Sequence, residues 1–298
     1  MKLCTGVLIP SNRIAPAAAC ALASLNEIAP GRIVFGVSTG HTARRTMGLE
    51  PVTLAEMERY IHVVQALLRG ETVEWSGEGE THPVRFLNPE AGLINTKDAI
   101  PLHLSAFGPK ARALTAKLGA GWIGGSGNAV KAAAALAEMR GAWREAGREA
   151  KDLYATNLGS GCVLAPGEPA DSPRARAQAG PSVTAALHMI TETGHGEAPP
   201  SGVVKEALAR YRQVYEGYAP ATRHLDNHRG HGLFVRPEEG PILSGELIRA
   251  ITRTGTEDEL VASVRQIREA GFSQFGIQLR YGHEMAMLED WARVLEKA

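Results

Sequence analysis

The sequence predicts an α/β fold built on a parallel sheet, and two observations predict it. The first is the stretch 31–40. Ile33, Val34, Phe35 and Val37 form a near-continuous apolar run, which suits a strand covered on both faces, and Ser38-Thr39-Gly40 follows as a loop. The second is its setting: an Ala-rich helical stretch precedes this strand and an amphipathic one follows, a βαβα rhythm. Parallel α/β folds place ligands in the loops after such strands. Ser38, Thr39, Gly40, His41 and Arg44 are therefore the first candidates for contact with a small molecule.

The totals set bounds. The chain has 298 residues, 44% hydrophobic, 21% charged and 5% aromatic, ordinary for a globular protein. Lys+Arg 32 balances Asp+Glu 32, which gives no support for nucleic acid or an anionic membrane as partner. Cys4, Cys20 and Cys162 lie far apart, with no CxxC. An odd, scattered set argues against a disulfide framework and for a reducing, cytoplasmic setting. No apolar run approaches the ~20 residues of a spanning helix, and the N-terminus lacks a secretory pattern.

Taken in order, 2–9 reads as a strand with Thr5-Gly6-Val7 at its centre, where the glycine marks a bulge or a close approach. Pro16 opens a helix that runs to Ile28. After the strand 32–38, Thr53-Leu54-Ala55-Glu56 is a capping box. Leu54, Met57, Ile61, Val64, Leu67 and Leu68 recur at helical spacing. Tyr60 and His62 lie off the densest part of that stripe, and His62 reads as a surface residue. Thr72–Trp75 and Val84–Leu87 predict a hairpin excursion within 71–100.

The next strand is 101–107, followed by Gly108-Pro109-Lys110 and a helix to about Leu118. Gly and Pro at a helix start leave N–H groups pointing outward, an anion seat to which Lys110 adds charge. A short strand, 121–125, ends in Gly124-Gly125-Ser126-Gly127, where backbone can approach a phosphate closely. Residues 152–163 form a longer extended stretch. Residues 166–200 are rich in Pro, Gly and Ala, with a helix over 175–193 broken by Gly194-His195-Gly196.

Val203 to Glu216 is helical. His224, Asp226, His228 and His231 then invite a metal reading, but their spacing does not fix them as ligands. No metal is assigned, and the stretch reads as a polar wall beside a substrate pocket. Leu233-Phe234-Val235 is a weak strand candidate. Thr256–Glu259 is a second capping box, 272–279 the final strand, and 284–296 the closing helix.

This ordered set resembles the luciferase-like flavin and deazaflavin oxidoreductases. It is carried by Thr5-Gly6-Val7 with Pro10, Ala23–Glu27 with Pro30-Gly31-Arg32, and Gly36–Gly40. Ser105–Lys110, Gly121–Gly125, Thr254–Leu260 and Ala270-Gly271-Phe272 complete it. The resemblance implies a TIM (β/α)8 barrel of the bacterial luciferase type, as one domain over 1–298. The hairpin near 71–100 and a helical and loop segment near 166–245 would be insertions in it. Six strands are legible where the family has eight. The first two βα units are the missing ones, which leaves an expected gap between 2–9 and 272–279. A second departure is Ala120-Gly121, where the family usually shows Asp-Gly.

The resemblance also implies roles. Gly6 and Val7 would form the bulge behind a tricyclic ring, a place where the family often has a non-proline cis peptide. Ser38, Thr39 and Gly40 would border the ring. Ala106, Gly108, Pro109 and Lys110, with Gly124 and Gly125, would hold the side chain and phosphate. His41 and His103 are the candidate catalytic proton donors, because histidine titrates near neutral pH. The cofactor would be coenzyme F420, giving hydride transfer with a pterin, ketone or alcohol, or FMN, giving oxygen chemistry with a partner reductase. The protein would be a homodimer. The contrasting expectation is a non-catalytic barrel relative or fragment.

Overall fold

The computed structural model describes residues 1–125, 127–194 and 202–298. Ser126 of the glycine loop and the predicted helix break after Gly194 lie outside the described residues. The chain divides into two compact units: Met1–Trp122 with Gly141–Leu153, and Ile123–Arg140 with Tyr154–Ala298.

The first unit opens with β1 (Leu3–Cys4), α1 (Ala15–Ile28), β2 (Ile33–Val37), the short α2 (His41–Arg45) and α3 (Leu54–Leu68). The hairpin β3 (Val73–Gly77) and β4 (Glu80–Val84) follows, then β5 (Leu102–Ser105) and α4 (Pro109–Leu118). β1 pairs β2, and β2 pairs β5, both in parallel. Thr53 caps α3 by accepting from Glu56 N at 3.2 Å while the Glu56 carboxylate accepts from Thr53 N at 2.7 Å, the reciprocal box its sequence predicts. Phe35, Val37, Leu102 and Leu104 face α1 and α3 in one core, packed against Ala18, Leu22, Met57, Ile61 and Val64. Tyr60, placed off the stripe by its spacing, is 9% exposed and belongs to this core. His62 is exposed, as its position on the helix predicts.

β6 (Gly121–Gly124) and α5 (Ala129–Glu145) span the division between the units. The second unit continues with β7 (Ala155–Gly159), β8 (Val163–Leu164), α6 (Pro173–Thr193), α7 (Gly202–Glu216) and α8 (Arg223–His228). It closes with α9 (Gly245–Ile251), β9 (Gly255–Thr256), α10 (Glu257–Ala270), β10 (Gln274–Ile277) and α11 (Glu284–Lys297). One core gathers α6, α7 and α9 around Val183, Leu187, Tyr211 and Leu247. Another sets Trp291 and Met287 of α11 against Leu260 and Val264 of α10.

The six expected strands are the six of the sheet, in the order β1-β2-β5-β6-β7-β10. β1 and β10 stand at the two ends of that order, and both β1 residues are exposed.

Four local expectations need correction. The stretch 2–9 is not one regular strand but β1, a bulge and a single bridge at Leu8. The stretch 152–163 breaks after Gly159, because Gly161 must lie against Arg253: a Cβ there would sit 1.9 Å from the Arg253 carbonyl oxygen. β4 ends at Val84, where the expected strand 84–87 was to begin, because the hairpin turns tightly at Glu78-Gly79, both at positive φ. Leu233–Val235 forms no strand; Leu233 and Phe234 donate their N–H groups to the Gly230 carbonyl in a turn. The pairing of β8 with β9 was not legible, since each strand is two residues long.

Candidate functional site

The first strand end is built by a bulge. Cys4 pairs with Val34 and Leu8 with Val37, so β1 spends four steps where β2 spends three. The extra residue lies within Thr5-Gly6-Val7, and the Gly6–Val7 peptide bond is cis. Thr5 locks the bulge to β2. Its hydroxyl donates to the Gly36 carbonyl at 2.7 Å and accepts from the Gly36 N–H at 2.9 Å. Leu8 N also donates to the Gly36 carbonyl, at 2.8 Å.

Such an approach leaves no room for a side chain at position 36. A Cβ there would lie 2.0 Å from the Thr5 carbonyl oxygen, a backbone atom that cannot swing away. Gly36→Ala is expected to destabilise the protein by about 2–3 kcal/mol, read as a lowered urea midpoint at constant slope. An unchanged midpoint would contradict the contact. Gly6, by contrast, faces open space: a Cβ there meets nothing within 4 Å.

The neighbouring strand ends are tied to one another. Ser38 Oγ donates to the Ser105 carbonyl at 3.1 Å, and buried Trp122 donates its Nε1–H to the Ala106 carbonyl at 2.7 Å. Gly40 takes φ 79° to turn the chain into α2, where any Cβ would strike Ile9 at 2.3 Å. Gly108 precedes α4 in extended conformation, with Pro109 in the first turn and no side chain capping it. Gly108, as N-cap, offers no side chain to the first N–H groups of α4, and Gly108, Pro109 and Lys110 are all exposed. In the first unit the structure thus assembles Gly6, Val7, Ser38, Thr39, Gly40, Ala106, Gly108, Pro109 and Lys110 at the C-terminal ends of β1, β2 and β5.

His103 stands on the sheet face opposite the helix-packed Leu102 and Leu104. Its register partner on β2 is Gly36, and a Cβ on Gly121 would come within 2.6 Å of its ring. The missing side chain at Gly121 leaves the imidazole its room. Burial, and next the charge of Lys2, hold its pKa below the usual histidine value, so it is neutral at pH 7. His41 opens α2, and Arg45 Nε donates to its Nδ1 at 3.3 Å. The neutral ring then carries its proton on Nε2.

Burial also lowers the pKa of His188 in α6. Both histidines resist protonation in the folded state, so below about pH 6.5 the unfolded chain binds more protons than the folded one. Their contribution to stability is complete above that pH and is lost as pH falls toward and through the folded values. The urea midpoint should drop between pH 7 and pH 5, and the drop should shrink in His103→Gln. A midpoint that rises toward pH 5 would contradict the sign.

In the second unit, Gly125 follows the end of β6, where a Cβ would meet the Leu158 carbonyl oxygen of β7 at 2.4 Å. Glycine is required there for strand packing, and Gly124 beside it is buried. Two arginines escaped the sequence reading. Arg253, 2% exposed, donates to Asn157 Oδ1 at 2.8 Å and Ser263 Oγ at 2.9 Å, and lies over the Phe275 ring. Burial lowers its pKa to about 10. Arg280, just beyond β10, is 4% exposed and donates to the Gln178 carbonyl at 3.1 Å and to Ser182 Oγ. Their signal, an arginine beside a strand end, does not separate a buried guanidinium from an exposed one.

The histidine-rich stretch is divided. His228 is buried at the end of α8, His231 follows it, and His224 stays outside their cluster, whose third member is His188. On the helical side of the sheet in the first unit, a cavity of about 1170 Å³ lies between α3 and the hairpin, lined by Arg59, Tyr60, Val63, Val73 and Trp75. It lies away from the face that carries His103.

Comparison with known proteins adds kinship. A family model described as luciferase-like monooxygenase matches residues 1–274. An F420-dependent glucose-6-phosphate dehydrogenase of Nakamurella multipartita is 30% identical over 159 residues, which is 50% of this chain and 45% of that protein. The chain thus matches less than half of that relative's length. A 5,10-methylenetetrahydromethanopterin reductase of Archaeoglobus fulgidus is 24% identical over 280 residues, 92% of this chain and 75% of that one. The coenzyme F420 dependent tetrahydromethanopterin reductase structure from Methanopyrus kandleri superposes with a TM-score of 0.61 at 17% identity. That match covers all of this chain and 81% of the other, a likeness that shows the fold. No helix among the described residues is long and apolar enough to cross a membrane.

Proposed function

The chain belongs to the luciferase-like monooxygenase family, and from that premise we propose that it is an oxidoreductase moving hydride between coenzyme F420 and a small organic substrate. The observation that carries this reading is kinship with relatives named as an F420-dependent dehydrogenase and a methylenetetrahydromethanopterin reductase. The residues present fit such a group. Gly6 and Gly108 border open space, and α4 opens without a side-chain cap next to Lys110.

A bound deazaflavin supplies two-electron hydride chemistry, and the protein supplies orientation and proton handling. Gly6, Val7, Ser38, Thr39 and Gly40 would border the ring. Ala106, Gly108, Pro109 and Lys110 would hold the chain and phosphate. The N-terminal N–H groups of α4 and the Lys110 ammonium offer that phosphate complementary charge. His103, neutral at pH 7, accepts the hydroxyl proton of an alcohol substrate as hydride leaves the carbon, and returns it to the carbonyl oxygen in reverse. His41, with its proton on Nε2, is the second donor. A ketone, alcohol or reduced pterin meets these requirements.

Equilibrium titration of the purified chain with F420 and with FMN tests the cofactor. Tighter, one-to-one binding of F420 is expected, and preference for FMN overturns it. The second reading, an FMN-dependent monooxygenase supplied by a reductase, rests on the family's own description. A homodimer is part of the proposal, and light scattering on the eluted protein tests it.

A further inference from the structure

Three histidines come together in the helical part of the second unit, away from the residues of the cofactor reading. His188 of α6, His228 of α8 and His231 each offer a ring nitrogen, and these nitrogens lie within 4.8 Å of one another. His188 is 1% exposed and His228 6%. The ring centroids are 5.4 Å apart for His188 and His231, 5.2 Å for His228 and His231, and 6.1 Å for His188 and His228.

The hydrogen bonds sort the ring atoms. His188 Nε2 meets the Glu239 carboxylate at 2.6 Å, and His228 Nε2 meets the Glu192 carboxylate at 3.1 Å. A carboxylate on one ring nitrogen fixes the tautomer with its proton there, and leaves Nδ1 as the lone-pair donor. His188 Nδ1 in turn faces His231 Nδ1 at 3.2 Å. Two ligand nitrogens about 2.0–2.1 Å from a tetrahedral ion stand roughly 3.3 Å apart. Without a metal, one of these two nitrogens must carry a proton between them; an ion takes that proton's place.

We infer that His188, His228 and His231 form a binding site for a borderline divalent transition metal, Zn2+ foremost, with Glu239 and Glu192 as the carboxylates that orient the first two rings. Three imidazoles and a tetrahedral preference leave the fourth position to water. Charge agrees with a dication. Glu239 and Glu192 bring two negative charges, and Arg236, bonded to Glu239, offsets one of them. The Arg236 guanidinium lies 3.4 Å from His188 Nε2, the ring atom turned away from His231. A bound ion would clamp α8 and the turn after it to α6. Histidines 228 and 231 are visible in sequence, but their third partner stands 40 residues upstream, which is why spacing does not reveal the set.

The test uses the full chain, stripped by a chelator and titrated with Zn2+ and with Co2+. One ion per chain is expected, with the intense visible bands of four-coordinate Co2+. His231→Ala, at the least buried ligand, should keep the fold and weaken Zn2+ binding by more than ~100-fold, and Glu239→Gln by ~10–100-fold. His224→Ala should bind as the parent does. The inference is overturned if the folded, stripped parent binds neither ion, or if His231→Ala and His228→Ala both bind Zn2+ as tightly as the parent.

Discussion

Replacing His103 by glutamine is expected to lower turnover by about 10²–10⁴-fold while F420 binds as before. Glutamine keeps hydrogen-bonding capacity and approximate size on the face between Gly36 and Gly121, but it cannot take up a proton. The folded environment holds the imidazole neutral through burial, with Lys2 adding to the effect. The parent should therefore keep its activity down to pH values below the ordinary histidine range and lose it only as His103 becomes protonated. That acid limb should vanish in His103→Gln, leaving a low, flat profile. Steady-state rates from pH 5 to 8 decide it. Full activity in the variant, with the same acid limb, would remove His103 from the mechanism.

The largest loss of stability is expected at Glu239, which is 1% exposed. Its carboxylate accepts from His188 Nε2, from the Arg236 guanidinium and from the Arg236 backbone N–H. Burial alone would push this carboxyl up, but the hydrogen bonds from His188 and Arg236 outweigh it and hold the pKa at about 2. Glu239→Ala would leave Arg236, itself 1% exposed, as a buried charge without its closest counter-ion. The expected cost is about 3–5 kcal/mol, measured by urea denaturation of chelator-treated protein. Glu238, which reaches Arg236 Nε at 3.6 Å and is exposed, offers a control: Glu238→Ala should cost under about 1 kcal/mol. Equal losses in the two variants would contradict this reading of the network.

Both predictions bear on what a sequence can disclose. The six strands of the sheet were legible because apolar runs such as 33–37, bounded by glycine, carry their signal locally. Gly6 and Gly36 illustrate the boundary. The glycine at 6 marked a bulge or a close approach, and the bulge is there; the close approach is at Gly36, where Thr5 makes it. Its hydroxyl bonds span 31 residues of sequence, and no periodicity records them. His103 was visible as a histidine on a strand. The room that Gly121 of the next strand leaves for its ring was not.

Beyond β7, pattern reading had less to work with. β8 and β9 are too short to show alternation, and the α6–α7–α8 region binds its polar residues through contacts among distant positions. Tyr211 bonds Asn227 and Arg236, and Asn227 bonds Glu192. Polar residues at such spacing look the same in sequence whether they face water or one another. The arginines at 253 and 280 raise the same difficulty, since burial, not residue type, gives them interest.

The central claim is that this chain works as a deazaflavin hydride-transfer enzyme with His103, on β5, as its proton acceptor. Single-turnover mixing tests it most directly. Protein loaded with oxidised F420 is mixed anaerobically with secondary alcohols, sugar phosphates and reduced pterins, and the visible absorbance of the cofactor is followed. The account predicts stoichiometric bleaching with at least one substrate class, slowed about 10²–10⁴-fold in His103→Gln. No bleaching with any class, together with substrate-dependent oxygen uptake when reduced FMN is supplied instead, would contradict it.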